Sequence, residues 1–404
     1  HKSRRISPVT KGRPMKIGVI SLGCPKNTVD TECMLSMLPA HTLTGDPKQA
    51  DAIIINTCAF LKAARDESAQ AVRDMSRAAK KGARIIIAGC FVSKDFKALK
   101  KMFPEAHAFV GINNIPDIGR ALSEGGVFTS GKPFVYEGRQ HRAVLNPYSV
   151  YVKISEGCNH ACSFCAIPGI KGKYRSRQID DISLEVKKLV DSGAREINLI
   201  SQDLSYYGVD NYGSPALAKL LSAILGATKK KFWLRLLYLY PDLRVIRQVV
   251  EVMKKDSRVC RYIDMPLQHI NDRILKSMRR GYNREQAMET LREIRKVPGV
   301  CIRSSFIAGY PSETEKEFTE LLDFVSAGYV DKPGVFGYSD EPGTASCALK
   351  GKLSRKAVES RVRRLTLASA GVCRYNDEKL AGLVKEALVV TRLSDRKYAA
   401  RTEE

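Results

Sequence analysis

Cys158, Cys162 and Cys165 fall within one short run, Glu-Gly-Cys-Asn-His-Ala-Cys-Ser-Phe-Cys, a Cys-x3-Cys-x2-Cys triplet. Cubane iron–sulfur clusters are held by cysteine thiolates, ordinarily four. Three thiolates leave one iron with an open coordination position, which a catalytic metal keeps and a structural one closes. Structural zinc instead pairs two short Cys or His knuckles. His160 lies inside the triplet, so a Cys/His zinc knuckle is the competing reading. Phe164, between the second and third cysteines, would set a flat apolar face beside the metal, or serve as ordinary core.

Three further cysteines share a different pattern. Cys24, Cys58 and Cys90 each end a short apolar run, at 16–24, 52–58 and 84–90. Continuous Ile and Val runs without alternation predict strands buried on both faces of a parallel sheet. The stretch 61–81 between two of them reads as a helix, closed by Lys80, Lys81 and Gly82, residues that suit a helix C-terminus. Strand–helix alternation predicts a doubly wound domain. In such sheets ligands bind beyond the carboxyl ends of the strands, so cysteines more than thirty residues apart can converge. Neighbouring helix N-termini would help to hold them as thiolates. They read as a second three-thiolate cluster site; inert buried cysteines are the alternative. Cys33, Cys260, Cys301, Cys347 and Cys373 lack partners at useful spacing and read as structural.

The elements that must position the triplet follow. Candidate strands lie at 148–155, 196–201, 232–238, 262–267, 300–309 and 334–338, with helical stretches between, such as 182–192 and 284–296. Six β/α units predict a partial TIM-type barrel, open on one side, with active residues at the carboxyl ends of its strands. The triplet obeys that rule. So do Gln202 after the second strand, Gln268 and His269 after the fourth, and Arg303 and Gly309 on the fifth. His269 is either a base or a hydrogen-bonded structural histidine. A basic helix is expected over 354–376.

The triplet with Phe164 in place resembles the radical S-adenosylmethionine superfamily. The opening segment Ser-Leu-Gly-Cys-Pro-Lys-Asn-Thr-Val-Asp-Thr-Glu, ending at Glu32, is similar to the first motif of the methylthiotransferases. Pro25, Lys26 and Asn27 match their RimO branch, which modifies an aspartate of small-subunit ribosomal protein twelve. The resemblance implies two [4Fe–4S] clusters, at Cys158, Cys162 and Cys165 and at Cys24, Cys58 and Cys90, with S-adenosylmethionine as cosubstrate. It implies adenine contacts from Phe164 and the backbone near Ala166 and Ile167. It further implies cofactor contacts from Gln202, Gln268 and Arg303, and close backbone approach at Gly309. One equivalent of S-adenosylmethionine would methylate the transferred sulfur. The other would be cleaved to a radical that takes hydrogen from the aspartate β-carbon.

The 404 residues suggest two or three domains. The expected divisions are a basic, disordered tail at 1–13, a methylthiotransferase domain at 14–140, a radical S-adenosylmethionine domain at 141–375, and the start of a truncated all-β TRAM-like module at 376–404. Lys and Arg number 67 against 43 Asp and Glu, a net charge of +24, which favours polyanionic partners such as RNA or a ribosomal subunit. A basic, well-solvated surface is the plainer reading. No stretch approaches the length of a membrane span. Eleven cysteines, an odd number, argue for a reducing compartment and hence the cytoplasm. Expected partners are ribosomal protein twelve or the assembled subunit, and an electron donor such as flavodoxin. A tRNA adenosine is the alternative substrate of the same chemistry. A non-catalytic iron–sulfur or zinc protein that binds RNA is the reading from another class.

Overall fold

The computed structural model describes residues 13–138 and 142–404. The tail expected at 1–13 lies, except for Arg13, outside the described residues. The chain divides into two compact units, one of residues 1–59 and 63–134, the other of 60–62 and 135–404.

Among the described residues the first unit runs β1 (Met15–Ser21), α1 (Pro25–Ser36), β2 (His41–Leu43), β3 (Ala52–Thr57), α2 (Lys62–Ala78), β4 (Arg84–Gly89), α3 (Cys90–Met102), β5 (Ala108–Val110), α4 (Ile118–Glu124) and β6 (Gly126–Phe128). Its six strands are all parallel, in the order β2-β1-β3-β4-β5-β6. All six residues of β3 are buried, as expected of a strand covered on both faces. The three long Ile-rich runs are therefore the central strands. The three-residue strands β2, β5 and β6 were not expected, being too short to show a pattern.

The second unit begins with β7 (Ser149–Lys153) and the two-residue strand β8 (Ser155–Glu156), which pairs antiparallel with β9 (Arg175–Ser176). Between β8 and β9 lies the short helix α5 (Ile167–Lys171). Then come α6 (Ile179–Asp191), β10 (Glu196–Ile200), α7 (Val209–Tyr212), α8 (Leu217–Ala227), β11 (Trp233–Leu236), α9 (Leu243–Lys255), β12 (Val259–Asp264), α10 (Asp272–Ser277), α11 (Arg284–Ile294), β13 (Cys301–Ala308), α12 (Glu315–Ser326), β14 (Lys332–Gly337) and α13 (Arg355–Glu378). The sheet order β14-β13-β12-β11-β10-β7, parallel throughout, is the open six-unit barrel that the alternation predicts. An antiparallel hairpin of β15 (Leu388–Ser394) and β16 (Lys397–Arg401) follows.

Helix α9 shows how a barrel helix buries one stripe. In α9, Val245, Ile246, Val249, Val250 and Met253 are buried at the three- and four-residue spacing of a single helix face. Each such side chain contributes about 1.5–3 kcal/mol relative to exposure. Several helix starts in the second unit are fixed by caps. Asp242 accepts from the Arg244 amide, and Asn283 and Thr314 form capping boxes with Gln286 and Glu317. Two strands are displaced from their expected places. The fourth, expected at 262–267, is Val259–Asp264, because Pro266 has no N–H for a ladder and Gln268 takes φ +71°. The third stops at Leu236, ahead of Tyr238, which also takes φ +71°. Among the described residues no helix is long and apolar enough to cross a membrane.

Candidate active site and a second cysteine site

The triplet lies in the loop that leaves β8. Gly157 takes φ +82°, and a Cβ there would sit 2.1 Å from the Lys173 carbonyl oxygen, so only glycine lets the loop start this close to the neighbouring chain. The loop is then tied down on all sides. The Cys158 amide donates to Gly172 O at 3.1 Å, the Ser163 amide to Met278 O at 3.0 Å, and the Cys165 amide to Cys162 O at 3.1 Å. Ser163 Oγ lies 2.9 Å from Ser277 O and 2.8 Å from Tyr310 Oη.

Burial pushes the Cys158 thiol up to about 11 and the Cys165 thiol up to about 12. The nearby cysteines of the triplet add to the rise, while backbone amides of His160 and Ile167 and the charge of Arg280 oppose it. The three sulfurs are thus near enough to act on one another, in a pocket where metal must displace protons. Arg280 Nη1 donates to Cys162 Sγ at 3.4 Å. Among the described residues no three His, Cys, Asp or Glu side chains converge to hold a single ion. Three thiolates bound to three different irons need a wider triangle. His160 does not turn toward the thiols. Its Nε2 is 2.7 Å from Asp203 Oδ2 and its ring stacks on Tyr240 at 4.1 Å, which leaves the zinc-knuckle reading without its fourth donor.

Around the triplet, Phe164 packs against Ile274, Met278 and Tyr310. Gln202, just past β10, donates Nε2 to Glu156 Oε1 at 2.9 Å, while its own Oε1 is buried with no donor among the described residues. An orphaned carbonyl of this kind fits a site that is completed by a ligand. Glu156 is buried, with Lys153 Nζ at 2.7 Å and Lys171 Nζ at 3.4 Å. Burial alone would raise its carboxyl, but the two ammonium groups and Gln202 outweigh that and hold it well below the usual range.

The remaining expected contacts have partners within the fold. Arg303 pairs with Asp264 at 2.9 Å, directly across β12 and β13. Gln268 bridges to β13 through its backbone: its amide donates to Ser305 O, and Ile307 donates to its carbonyl, both at 2.8 Å. Gly309 takes φ +80°, and a Cβ there would sit 2.7 Å from Val358 of α13, so helix packing already requires glycine. His269 is fully buried, with Nε2 3.1 Å from Glu313 and Nδ1 accepting from the Asn271 amide. It is the structural histidine of the two readings.

Cys24, Cys58 and Cys90 all stand at the carboxyl edge of the first sheet. Cys24 is the N-cap of α1, Cys58 follows β3, and Cys90 opens α3, so two of the three sit at helix N-termini, where a thiolate is favoured. Gly23 takes φ +87° and a Cβ there would lie 2.8 Å from Cys58 Sγ, which puts the Cys24 loop against Cys58. Asn27 completes the convergence: Cys90 Sγ is 3.7 Å from its Oδ1, and its Nδ2 donates to Leu22 O at 2.8 Å and Thr57 O at 3.2 Å. The donor set and the surrounding amides fit an iron–sulfur cluster at each site. Glu156 and Arg280 were not singled out from the sequence. Arg280 is 118 residues from Cys162, a separation that carries no local signal.

Comparison with known proteins bears on the family of the chain. Residues 152–325 match the radical SAM superfamily model, and residues 16–111 match the model described as uncharacterized protein family UPF0004. A protein of Pelotomaculum thermopropionicum named ribosomal protein uS12 methylthiotransferase RimO is 38% identical, over 93% of this chain and 86% of its own. The protein of the same name from Chlamydia felis is 41% identical, over 93% and 83%. Among solved structures, the radical S-adenosylmethionine methyltransferase TsrM from Kitasatospora setae superposes with a TM-score of 0.60 at 15% identity, over 83% of this chain and 77% of that one. The cobalamin-dependent radical enzyme OxsB gives 0.55 at 12% identity, over 90% and 56%. At such identities these two show the fold alone.

Proposed function

The chain belongs to the RimO family of radical S-adenosylmethionine methylthiotransferases, and from that premise we propose how its residues divide the work. It is an enzyme that transfers a methylthio group to ribosomal protein uS12. The acceptor we propose is the β-carbon of an aspartate. A C–H bond there is unactivated, and no side-chain base tuned near neutral pH removes such a proton. When bound, a [4Fe–4S] cluster with S-adenosylmethionine at Cys158, Cys162 and Cys165 would supply the radical chemistry that removes that hydrogen as an atom, and a second cluster at Cys24, Cys58 and Cys90 would supply a seat for the sulfur to be transferred.

The protein's own part is placement. Gly157 and the Ser163 hydrogen bonds set the triplet at the carboxyl edge of the barrel. Phe164 with Ile274, Met278 and Tyr310 forms an apolar wall that keeps water from the reacting groups. Gln202, fixed by Glu156, presents its carbonyl to the cosubstrate, and Gln268 and Arg303 are proposed as further contacts to it. The net charge of +24 suits a substrate presented on an assembled ribosomal subunit. A low-potential donor such as flavodoxin supplies the electron. None of the eleven cysteines is in a disulfide, which supports a cytoplasmic enzyme.

The observation that supports the two-cluster reading is that Asn27, three residues past Cys24, contacts Cys90 Sγ and the Thr57 carbonyl ahead of Cys58. Its test is anaerobic reconstitution, followed by iron analysis, 5′-deoxyadenosine formation under dithionite, and mass spectrometry of uS12 and of tRNA nucleosides. Iron for two cubanes is expected, with uS12 gaining one methylthio group in place of hydrogen. Cys162→Ala should abolish cleavage. Cys58→Ala should spare cleavage and abolish transfer, and transfer by that variant would sink the second cluster. Modified tRNA beside unmodified uS12 would move the substrate to RNA.

A further inference from the structure

Arg280 reaches a cluster ligand from the turn that follows α10. Its Nη1 donates to Cys162 Sγ at 3.4 Å, its Nη2 to Pro266 O at 2.9 Å and its Nε to Tyr282 Oη at 3.2 Å. Tyr282 Oη in turn donates to Leu267 O at 2.5 Å. The guanidinium carbon lies 4.3 Å from the centre of the Tyr240 ring, and on that ring His160 stacks at 4.1 Å with 13° between planes, held by Asp203 at 2.7 Å. The Tyr240 hydroxyl accepts from the Gly281 amide at 2.7 Å. The plane of the guanidinium is therefore fixed by two oxygens and an aromatic face, with Nη1 turned to the sulfur.

Such an arrangement exceeds what packing requires. A guanidinium keeps its charge throughout the working pH range. A cationic donor against a thiolate favours whichever state of the centre carries more negative charge, and adding one electron increases that charge. Hydrogen bonds to the sulfurs, net charge and solvent exposure are what set the potential of an iron–sulfur centre. No other part of the described reaction makes use of Arg280.

We propose that Arg280 is a positioning residue that raises the reduction potential of the centre held by Cys158, Cys162 and Cys165, bringing it within reach of a flavodoxin-type electron donor. The step it assists is the transfer of one electron from that donor to the centre, with no bond made or broken in the arginine. The inference rests on the triplet being the cluster's ligand set.

The test uses the full chain carrying Cys58→Ala, so that the triplet's signal stands alone, reconstituted with iron and sulfide. Midpoint potentials are read by dye-mediated titration of the electron paramagnetic resonance signal. Arg280→Gln is expected to keep its iron and to shift the equilibrium at least tenfold toward the oxidised form, which for a one-electron couple is 59 mV more negative. Arg280→Lys, which keeps the charge and loses the planar fork, is expected to shift less. If the Gln variant alone fails to load, the Lys variant decides by the same reading. An unchanged midpoint in a loaded variant overturns the proposal. So does loss of iron from both, because Arg280 would then be needed to hold the cluster rather than to tune it. A Cys162→Ala control that loads the same centre at the same midpoint would fault the ligand assignment instead, and the proposal would fall with it.

Discussion

Cys90 holds its sulfur 3.7 Å from Oδ1 of Asn27, and the amide of the same side chain spans to the strand end ahead of Cys58. One residue, a single helical turn past Cys24, therefore braces three separated segments. Asn27→Ala would leave the carbonyls of Leu22 and Thr57 short of a donor, at about 1–3 kcal/mol for each buried group. The expected outcome is loss of one cubane's iron per chain while 5′-deoxyadenosine formation at the triplet persists. Full iron content in the variant would show that Asn27 is not needed to gather the three cysteines.

Gln268 offers a separation of stability from binding. It is a non-glycine residue at φ +71°, a conformation that costs a side chain about 1–2 kcal/mol. Its backbone bonds to Ser305 and Ile307 would survive truncation. Gln268→Gly should stabilise the unliganded protein by roughly 0.5–1 kcal/mol, the relief being partly offset by glycine's greater unfolded entropy. It should also weaken S-adenosylmethionine binding about tenfold, as expected for loss of one side-chain contact near 1.4 kcal/mol. Urea titration reads the first effect and equilibrium dialysis the second. Unchanged affinity would remove Gln268 from the cofactor site.

What could be read along the chain, and what could not, follows from the range of the interactions. The six cysteines proposed as cluster ligands stand out because each ends a strand-like run or lies in a tight triplet, both local patterns. The parallel order of the strands follows from the alternation of elements. Glu156, Arg280 and the Asn27 brace were not legible as site residues, since each acts through partners brought near only by the fold, at separations of 46, 118 and 63 residues. Arg303 and Gly309 answer to two demands at once. Both stand where a ligand contact is expected, and each also has a partner in the fold: Arg303 pairs with Asp264, and Val358 packs where a Cβ on Gly309 would sit.

Acid should weaken the second unit through Glu317. Its carboxyl is lowered to about 2 from an ordinary 4.5, first by the hydrogen bond from Arg273 and then by Thr314, against an opposing rise from burial. Arg273 grips it with two nitrogens, at 2.5 and 2.6 Å. A depressed carboxyl contributes stability that is fully present above pH 4.5 and is lost as pH falls toward 2. Arg273 is half exposed, so screening reduces the contribution to about 1–2 kcal/mol. Arg273→Ala should cost that much at pH 7 and much less near pH 2.5, measured by denaturant unfolding at both. An equal cost at the two values would mean that the pair contributes by packing and not by charge.

Glu313 is fully buried and gathers three donors at the end of β13. Arg361 Nη1 lies 2.5 Å from its Oε2, the Gly309 amide donates to the same oxygen at 2.8 Å, and His269 Nε2 lies 3.1 Å from Oε1. Because His269 Nδ1 accepts from Asn271, the ring proton sits on Nε2 and faces the carboxylate. Arg361 is thus the cation that balances Glu313, and it also fastens α13 to the loop at the barrel's carboxyl edge. Arg361→Met leaves a buried carboxylate with neutral donors only, and should cost about 3–5 kcal/mol. Adding Glu313→Gln removes the uncompensated charge, so the double variant should be more stable than Arg361→Met alone by about 1–3 kcal/mol. Denaturant unfolding of the four proteins in the cycle measures the coupling. A double variant no more stable than the single one would show that Arg361 acts through its packing on Phe318, 5.3 Å from the guanidinium carbon, and not through the charge of Glu313.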